Sequence, residues 1–172
     1  MDALLTERSD LGIFEAGFAS AGIHSLTYRH DRLASIVPIG HRLARRRQVR
    51  LDQVLDHELV GLPADTAIQQ QLARSAAALG RQLRTRIRVH SFDAVCSLVA
   101  AGAGIGVVPW IAADMHARLR RLHCVTLADP WAQRTLLLGW PKLRPPSPGA
   151  TRLTRHLHAA GSGGARHAGG TG

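Results

Sequence analysis

The chain has two cysteines, one lysine, few aromatics and no long apolar run. Cys96 falls in an apolar helical pattern and Cys124 in an apolar strand, so both are expected to be buried small hydrophobes and not a disulfide. The opening residues Met1-Asp2-Ala3-Leu4-Leu5-Thr6-Glu7-Arg8 carry no basic segment followed by an apolar stretch. Neither an export signal nor a membrane span is expected, and the cytoplasm is the expected compartment. Aromatics make up 4% of the 172 residues.

Recognisable catalytic motifs are also lacking. There is no phosphate loop, nucleophile elbow or metalloprotease helix, so no enzymatic activity is expected. Gly102, Gly104 and Gly106 have the first spacing of a dinucleotide fingerprint. They follow a helix and enter a strand, the reverse of what cradling a pyrophosphate requires, and no cofactor is expected. Ten histidines are present, but the closest pair, His156 and His158, is two apart on a predicted helix and points in different directions. No metal site is expected.

What is present is a soluble globular composition, with 45% hydrophobic residues, 20% charged residues and a formal charge of +10. The positive charge comes from arginines spread over the whole chain, which reads as solvated faces more than as a nucleic-acid footprint. The most informative stretch is Leu83–Pro109. Leu83, Thr85, Ile87 and Val89 alternate with arginines as in a strand. Phe92, Val95, Cys96 and Val99 then follow helical spacing from an N-cap at Ser91, with Asp93 in the first turn, and Gly102 ends that helix. Residues 105–109 read as a buried strand stopped by Pro109, giving a strand-helix-strand unit.

Around this unit, Ser9-Asp10-Leu11-Gly12-Ile13-Phe14 reads as a short apolar strand after a turn-like start, and the chain is expected to lack an upstream part of its own fold. Leu26–His30 and Leu33–Pro38 read as two strands joined by a turn at His30-Asp31-Arg32. Glu58–Leu62 is a strand, and Thr66-Ala67-Ile68-Gln69 has the pattern of a capping box opening a helix. Later come a helix over 111–119, strands at 123–127 and 135–140, and a last helix over 151–158. The glycine-rich residues from 159 to 172 are expected to be disordered. The helix starts at Thr66 and Ser91 each follow a strand and carry a hydroxyl. Either they merely cap their helices, or together they hold a small anion.

Ser9-Asp10-Leu11-Gly12-Ile13, Val37-Pro38 with Gly40-His41-Arg42-Leu43-Ala44, Glu58-Leu59-Val60-Gly61-Leu62, and Ser91–Cys96 running on through Ala101–Pro109 carry a resemblance. In these residues, and in their order from about Leu4 to His158, the chain resembles the effector-binding (substrate-binding) domain of LysR-type transcriptional regulators. The resemblance implies an α/β, two-lobed fold like that of periplasmic binding proteins, with a small-molecule effector held in the cleft. It places 1–40 in lobe I, 41–110 in lobe II and 111–158 in the return to lobe I. Lobe I is then incomplete, and the family's winged helix-turn-helix, through which DNA would be bound, is missing. The implied effector contacts are Thr66, Ala67, Ser91, Phe92, Phe14 and Glu15, and a carboxylate fits the two helix starts. In the full-length family the protein is a homo-oligomer. A transporter's solute-binding protein and a basic, non-specific nucleic-acid-binding protein are the rival readings.

Overall fold

The structure, a computed structural model, describes residues 4, 9–18, 20–120 and 122–163. Its contacts divide the chain into two units. One comprises the residues up to Asp31 together with those from Arg134 onward, and the other is Arg32–Gln133.

In the first unit, β1 (Gly12–Glu15) pairs antiparallel with β8 (Gln133–Pro141), and β8 lies beside β2 (Ile23–Pro38). Gly139 faces Gly12 across the ladder, and the Phe14 ring occupies the space that a side chain at 139 would need. The helix α5 (Pro148–Gly163) starts where the Ser147 hydroxyl accepts from Ala150 N–H at 3.2 Å. It is tied to β2 by His158 Nδ1, 3.1 Å from the Thr27 carbonyl. The helix thus continues past 158 into the glycine-rich stretch expected to be disordered; residues 164–172 lie outside the described residues.

The two strands expected over 26–38 are one. β2 runs unbroken for 16 residues, and His30-Asp31-Arg32 is extended, not a turn. The reason is that each polar side chain there has a partner that an extended backbone can reach. The Asp31 carboxylate accepts from Arg134 in an ion pair 6% and 8% exposed, and His30 Nδ1 lies 3.2 Å from the Thr135 hydroxyl. The Arg32 guanidinium lies 4.2 Å over the Trp110 ring. Without a glycine or proline inside the segment, nothing in the backbone favours reversal.

In the second unit the C-terminal part of β2 is the middle of a ladder. β6 (Gly106–Pro109) and β7 (Leu122–Leu127) pair with it antiparallel, and β3 (Gln48–Val49) runs parallel to β7. Leu33 and Val37 belong to one core cluster and Ala34 and Ile36 to another, all fully buried, so both faces of this strand are covered. The first cluster takes Leu51 and Val54 from α1 (Leu51–Val54) and Leu72 and Ala76 from α2 (Ala67–Ala78). The second takes Val95, Cys96 and Val99 from α3 (Phe92–Ala100) and Ala113 from α4 (Trp110–Arg120). This pairing also explains why the second unit extends to Gln133. β6, α4 and β7 stay with β2, and the chain leaves only after them.

A second, smaller sheet joins β4 (Leu59–Gly61) parallel to β5 (Thr85–Arg88). The expected strand-helix-strand unit is present in order but not as one sheet. After α3 the chain bridges β4 at Ile105, with Val60 N–H donating to the Ile105 carbonyl at 2.8 Å, and then β6 departs to pair with β2. Gly104 makes this bridge possible. Its φ is +147°, and a Cβ there would lie 2.6 Å from the Glu58 carbonyl oxygen.

Two features fix the loops around α1. The Asp129 carboxylate is buried and accepts from Leu51 N–H at 2.8 Å, satisfying a first-turn donor of α1 from 78 residues away. The Arg42 guanidinium lies against His57 Nε2, at 3.0 Å from Nη2 and 3.3 Å from Nε, and the His41 and His57 rings meet edge to face at 4.6 Å. Both imidazoles are held below their ordinary value of 6.5. Burial is the main cause in each, with Arg42 adding to it at His41, and His41 then Arg42 at His57. An unfolded chain would therefore take up these protons at higher pH than the folded one. The stability contributed is complete above about 6.5 and declines as pH falls through that value toward the lowered ones. Melting temperatures across this range should fall with pH in the wild type and fall less in His57→Gln. An identical slope in the two proteins would remove His57 from this account.

No disulfide joins Cys96, buried in the second cluster, and Cys124. Burial, then Asp114 and Cys96, push the Cys124 thiol up to about 11, so it is protonated and unreactive at neutral pH. No helix among the described residues is long and apolar enough to cross a membrane.

Candidate functional site

Because β4 and β5 are parallel neighbours, their carboxyl ends lie at the same edge of the sheet, and α2 and α3 both start from that edge. Val89 N–H donates to the Gly61 carbonyl at 2.9 Å, so the two strand exits are held side by side. This brings Thr66, Ala67, Ser91 and Phe92, four of the six residues expected at an effector site, to one end of one small sheet. Phe14 and Glu15 are on β1 in the first unit, opposite Leu137 and Leu136 of β8.

The two helix starts differ. At Ser91 the backbone is extended and the hydroxyl accepts from Ala94 N–H at 3.1 Å, a true N-cap. Asp93 follows in the first turn and lies 3.5 Å from His116 Nδ1 on α4. At Thr66 the expected capping box does not form. The Thr66 hydroxyl donates backwards to the Pro63 carbonyl at 2.8 Å, and α2 begins with no side-chain cap. Gln69, the other half of the expected box, is 4% exposed and turns toward the sheet, its Nε2 3.4 Å from the Thr85 hydroxyl and its Oε1 against Gly61. Gly61 has no side chain to compete for that space, which draws the amide inward. The first-turn N–H groups of α2 are thus left as donors along the helix axis, where the positive end of the dipole favours an anion.

Arg88 is a further residue of this edge. The alternating pattern of β5 sends its arginines to solvent, and Arg86 does pair with Glu58 at 3.0 Å. Arg88, last in the strand, donates instead to the Leu62 carbonyl at 3.2 Å, in the loop leading to α2. Its position at the strand's carboxyl end was the signal available in the sequence. The edge therefore carries uncapped N–H donors, a capped second helix start, the half-buried Phe92, which packs against the second core cluster, and the Arg88 guanidinium. That combination suits a small anion with an apolar part. Among the described residues, no three of His, Cys, Asp and Glu are grouped to hold a metal.

Parallel strands whose carboxyl ends lead into helix starts are the place where open α/β sheets bind ligands. The LysR substrate binding domain family matches residues 1–162, and the chain belongs to that family, the effector-binding part of LysR-type transcriptional regulators. It is 28% identical over 157 residues to the transcriptional activator protein LysR of Escherichia coli (strain K12), covering 91% of this chain and 50% of that protein. It is 29% identical over 155 residues to an uncharacterised HTH-type transcriptional regulator of Mycobacterium bovis, covering 87% and 50%. The chain thus spans about half the length of the curated relatives it matches. Among solved structures, it resembles the effector-binding domain of QuiR in complex with shikimate, with a TM-score of 0.75 and 22% identity over 94% of this chain and 76% of that one. The BenM effector-binding domain with benzoate gives a TM-score of 0.74 and 22% identity, covering 95% and 74%. At these identities the likeness shows the fold.

Proposed function

We propose that this chain senses a small organic carboxylate, and that it does so as part of a LysR-type regulator acting in the cytoplasm. In this reading the two units are the lobes of the family fold. The carboxylate rests against the first-turn N–H groups of α2, with Ser91 and Phe92 beside it and Arg88 supplying charge. The regulator reads DNA through a separate domain, and the chain itself carries out no catalysis. The observation that carries the proposal is the uncapped start of α2 beside the capped start of α3. Shikimate in QuiR and benzoate in BenM are both carboxylates, which supports the ligand class.

Ala67 gives a clean test, because it is the first helical residue of α2 and Thr66 before it is extended, with φ −72° and ψ 144°. Proline suits both conditions, so Ala67→Pro removes one N–H donor while leaving the helix intact. A panel of small carboxylates, shikimate and benzoate included, screened by thermal shift and then calorimetry should yield a ligand. Ala67→Pro should keep the wild-type melting temperature and bind that ligand about tenfold more weakly, as expected for one charge-assisted hydrogen bond. Unchanged affinity in a folded Ala67→Pro protein would move the carboxylate away from α2.

A further inference from the structure

The segment after β2 concentrates positive charge on residues that play no part in the effector reading. Arg42, Arg45, Arg46, Arg47 and Arg50 put five guanidiniums within nine residues, all exposed. Between this segment and α1 lies a hollow of about 150 Å³, lined by Arg42, Leu43, Arg46, Gln53 and Asp56.

The lining groups are already arranged as donors. Two nitrogens of Arg42 face His57 Nε2 at 3.3 and 3.0 Å in an exposed contact that orients the guanidinium and leaves its third nitrogen without a hydrogen bond among the described residues. The Arg46 guanidinium has no carboxylate or carbonyl partner among the described residues. Gln53 spends its Oε1 on Arg50 N–H at 3.0 Å, so its amide nitrogen is what it has left to offer. The one carboxylate in the lining, Asp56, is bound by Arg81 at 2.8 Å, and Arg81 also donates to the Asp52 carbonyl at 2.8 Å. The negative charge of Asp56 is thus matched before any ligand arrives, while Arg42 and Arg46 are left in excess. A planar guanidinium held in place by other contacts loses little freedom on binding, which is what a compact anion site needs.

We propose that this hollow binds a tetrahedral oxyanion, sulfate or a phosphate group, between Arg42 and Arg46. The neighbouring imidazoles make the binding proton-linked. His57 can accept from Arg42 only while its ring is neutral. The groups facing it are His41, Arg42 and Asp56, the last already paired with Arg81. Protonation takes away the acceptor, frees Arg42 for the anion and adds positive charge at the rim, so affinity rises as pH falls below about 6.5.

The test titrates the full chain with sulfate against chloride at matched ionic strength, by calorimetry and thermal shift. Wild type should bind sulfate in preference to chloride, Arg46→Gln should bind it about tenfold more weakly, and Ala67→Pro should match wild type. Lowering the pH from about 7.5 to about 5.5 should tighten sulfate binding in wild type and not in His57→Gln. Inorganic phosphate and a short DNA duplex of arbitrary sequence identify the source. Parallel weakening of duplex and sulfate in Arg46→Gln assigns the phosphate of a nucleic-acid backbone, whereas loss for the free anions alone assigns a free oxyanion. Sulfate binding no stronger than that of chloride, or equal sulfate affinity in wild type and Arg46→Gln, overturns the proposal.

Discussion

Asp31→Ala is expected to cost about 3–5 kcal/mol of stability, the range for removing one partner of a buried ion pair. The side chains of Asp31 and Arg134 are 6% and 8% exposed, and Arg134 Nε is already buried without a hydrogen-bond partner among the described residues. Taking the carboxylate away strands the whole guanidinium in a site that water does not reach freely. The pair also holds together β2 and β8 at the ends where both belong to the first unit. The double substitution Asp31→Leu with Arg134→Met should recover most of the loss, because an apolar pair of similar volume carries no desolvation cost. Urea denaturation of the four proteins in this cycle measures both numbers. A single-mutant loss below about 1 kcal/mol would put the pair in the class of exposed salt bridges and contradict its burial.

The second large effect is expected at Gly104. Alanine there meets two penalties at once. Its φ of +147° is one that L-residues rarely adopt, and its Cβ would sit 2.6 Å from the Glu58 carbonyl oxygen, which is the acceptor for Ile105 N–H at 3.0 Å. The backbone strain costs about 1–3 kcal/mol and the overpacking about as much again. Gly102→Ala provides the comparison. Its φ is +83°, but nothing lies within 4 Å of an added Cβ, so it should show the strain alone. The difference between the two variants therefore isolates the contact with β4. Because Gly61 ends β4 and leads to the start of α2, Gly104→Ala should also weaken carboxylate binding, whereas Gly102→Ala should leave it closer to wild type. Equal losses of stability in the two would mean that the β4 bridge yields easily.

The stretch from Leu83 to Pro109 was readable because its signals are local. Helical spacing, a serine that caps and a glycine that ends the helix act within a few residues, and Ser91 and Gly102 take those roles in the structure. The resemblance carried by the same stretch led to the family that the comparison confirms. Where the reading failed, the deciding partner was distant in sequence or hidden in a side chain's choice. His30-Asp31-Arg32 looks like a turn until Arg134 and Thr135 are beside it, more than a hundred residues later. Thr66 and Gln69 fit a capping box by spacing, but Pro63 offers the hydroxyl a nearer acceptor and Gly61 offers the amide a buried place. The departure of β6 from β4 to β2 depends on which strand has an open edge, and no spacing records that.

The continuity of β2 has a practical consequence for dividing the molecule. One strand supplies residues up to Asp31 to the first unit and from Arg32 to the second, with no linker between them. A fragment cut at that boundary would sever β2 in mid-strand, leaving Ile23–Asp31 with the first unit while Leu33–Pro38 keep their pairings to β6 and β7 in the second. The two units are separate in their contacts but share a backbone segment, so any deletion that parts them there ends one unit and begins the other inside a strand.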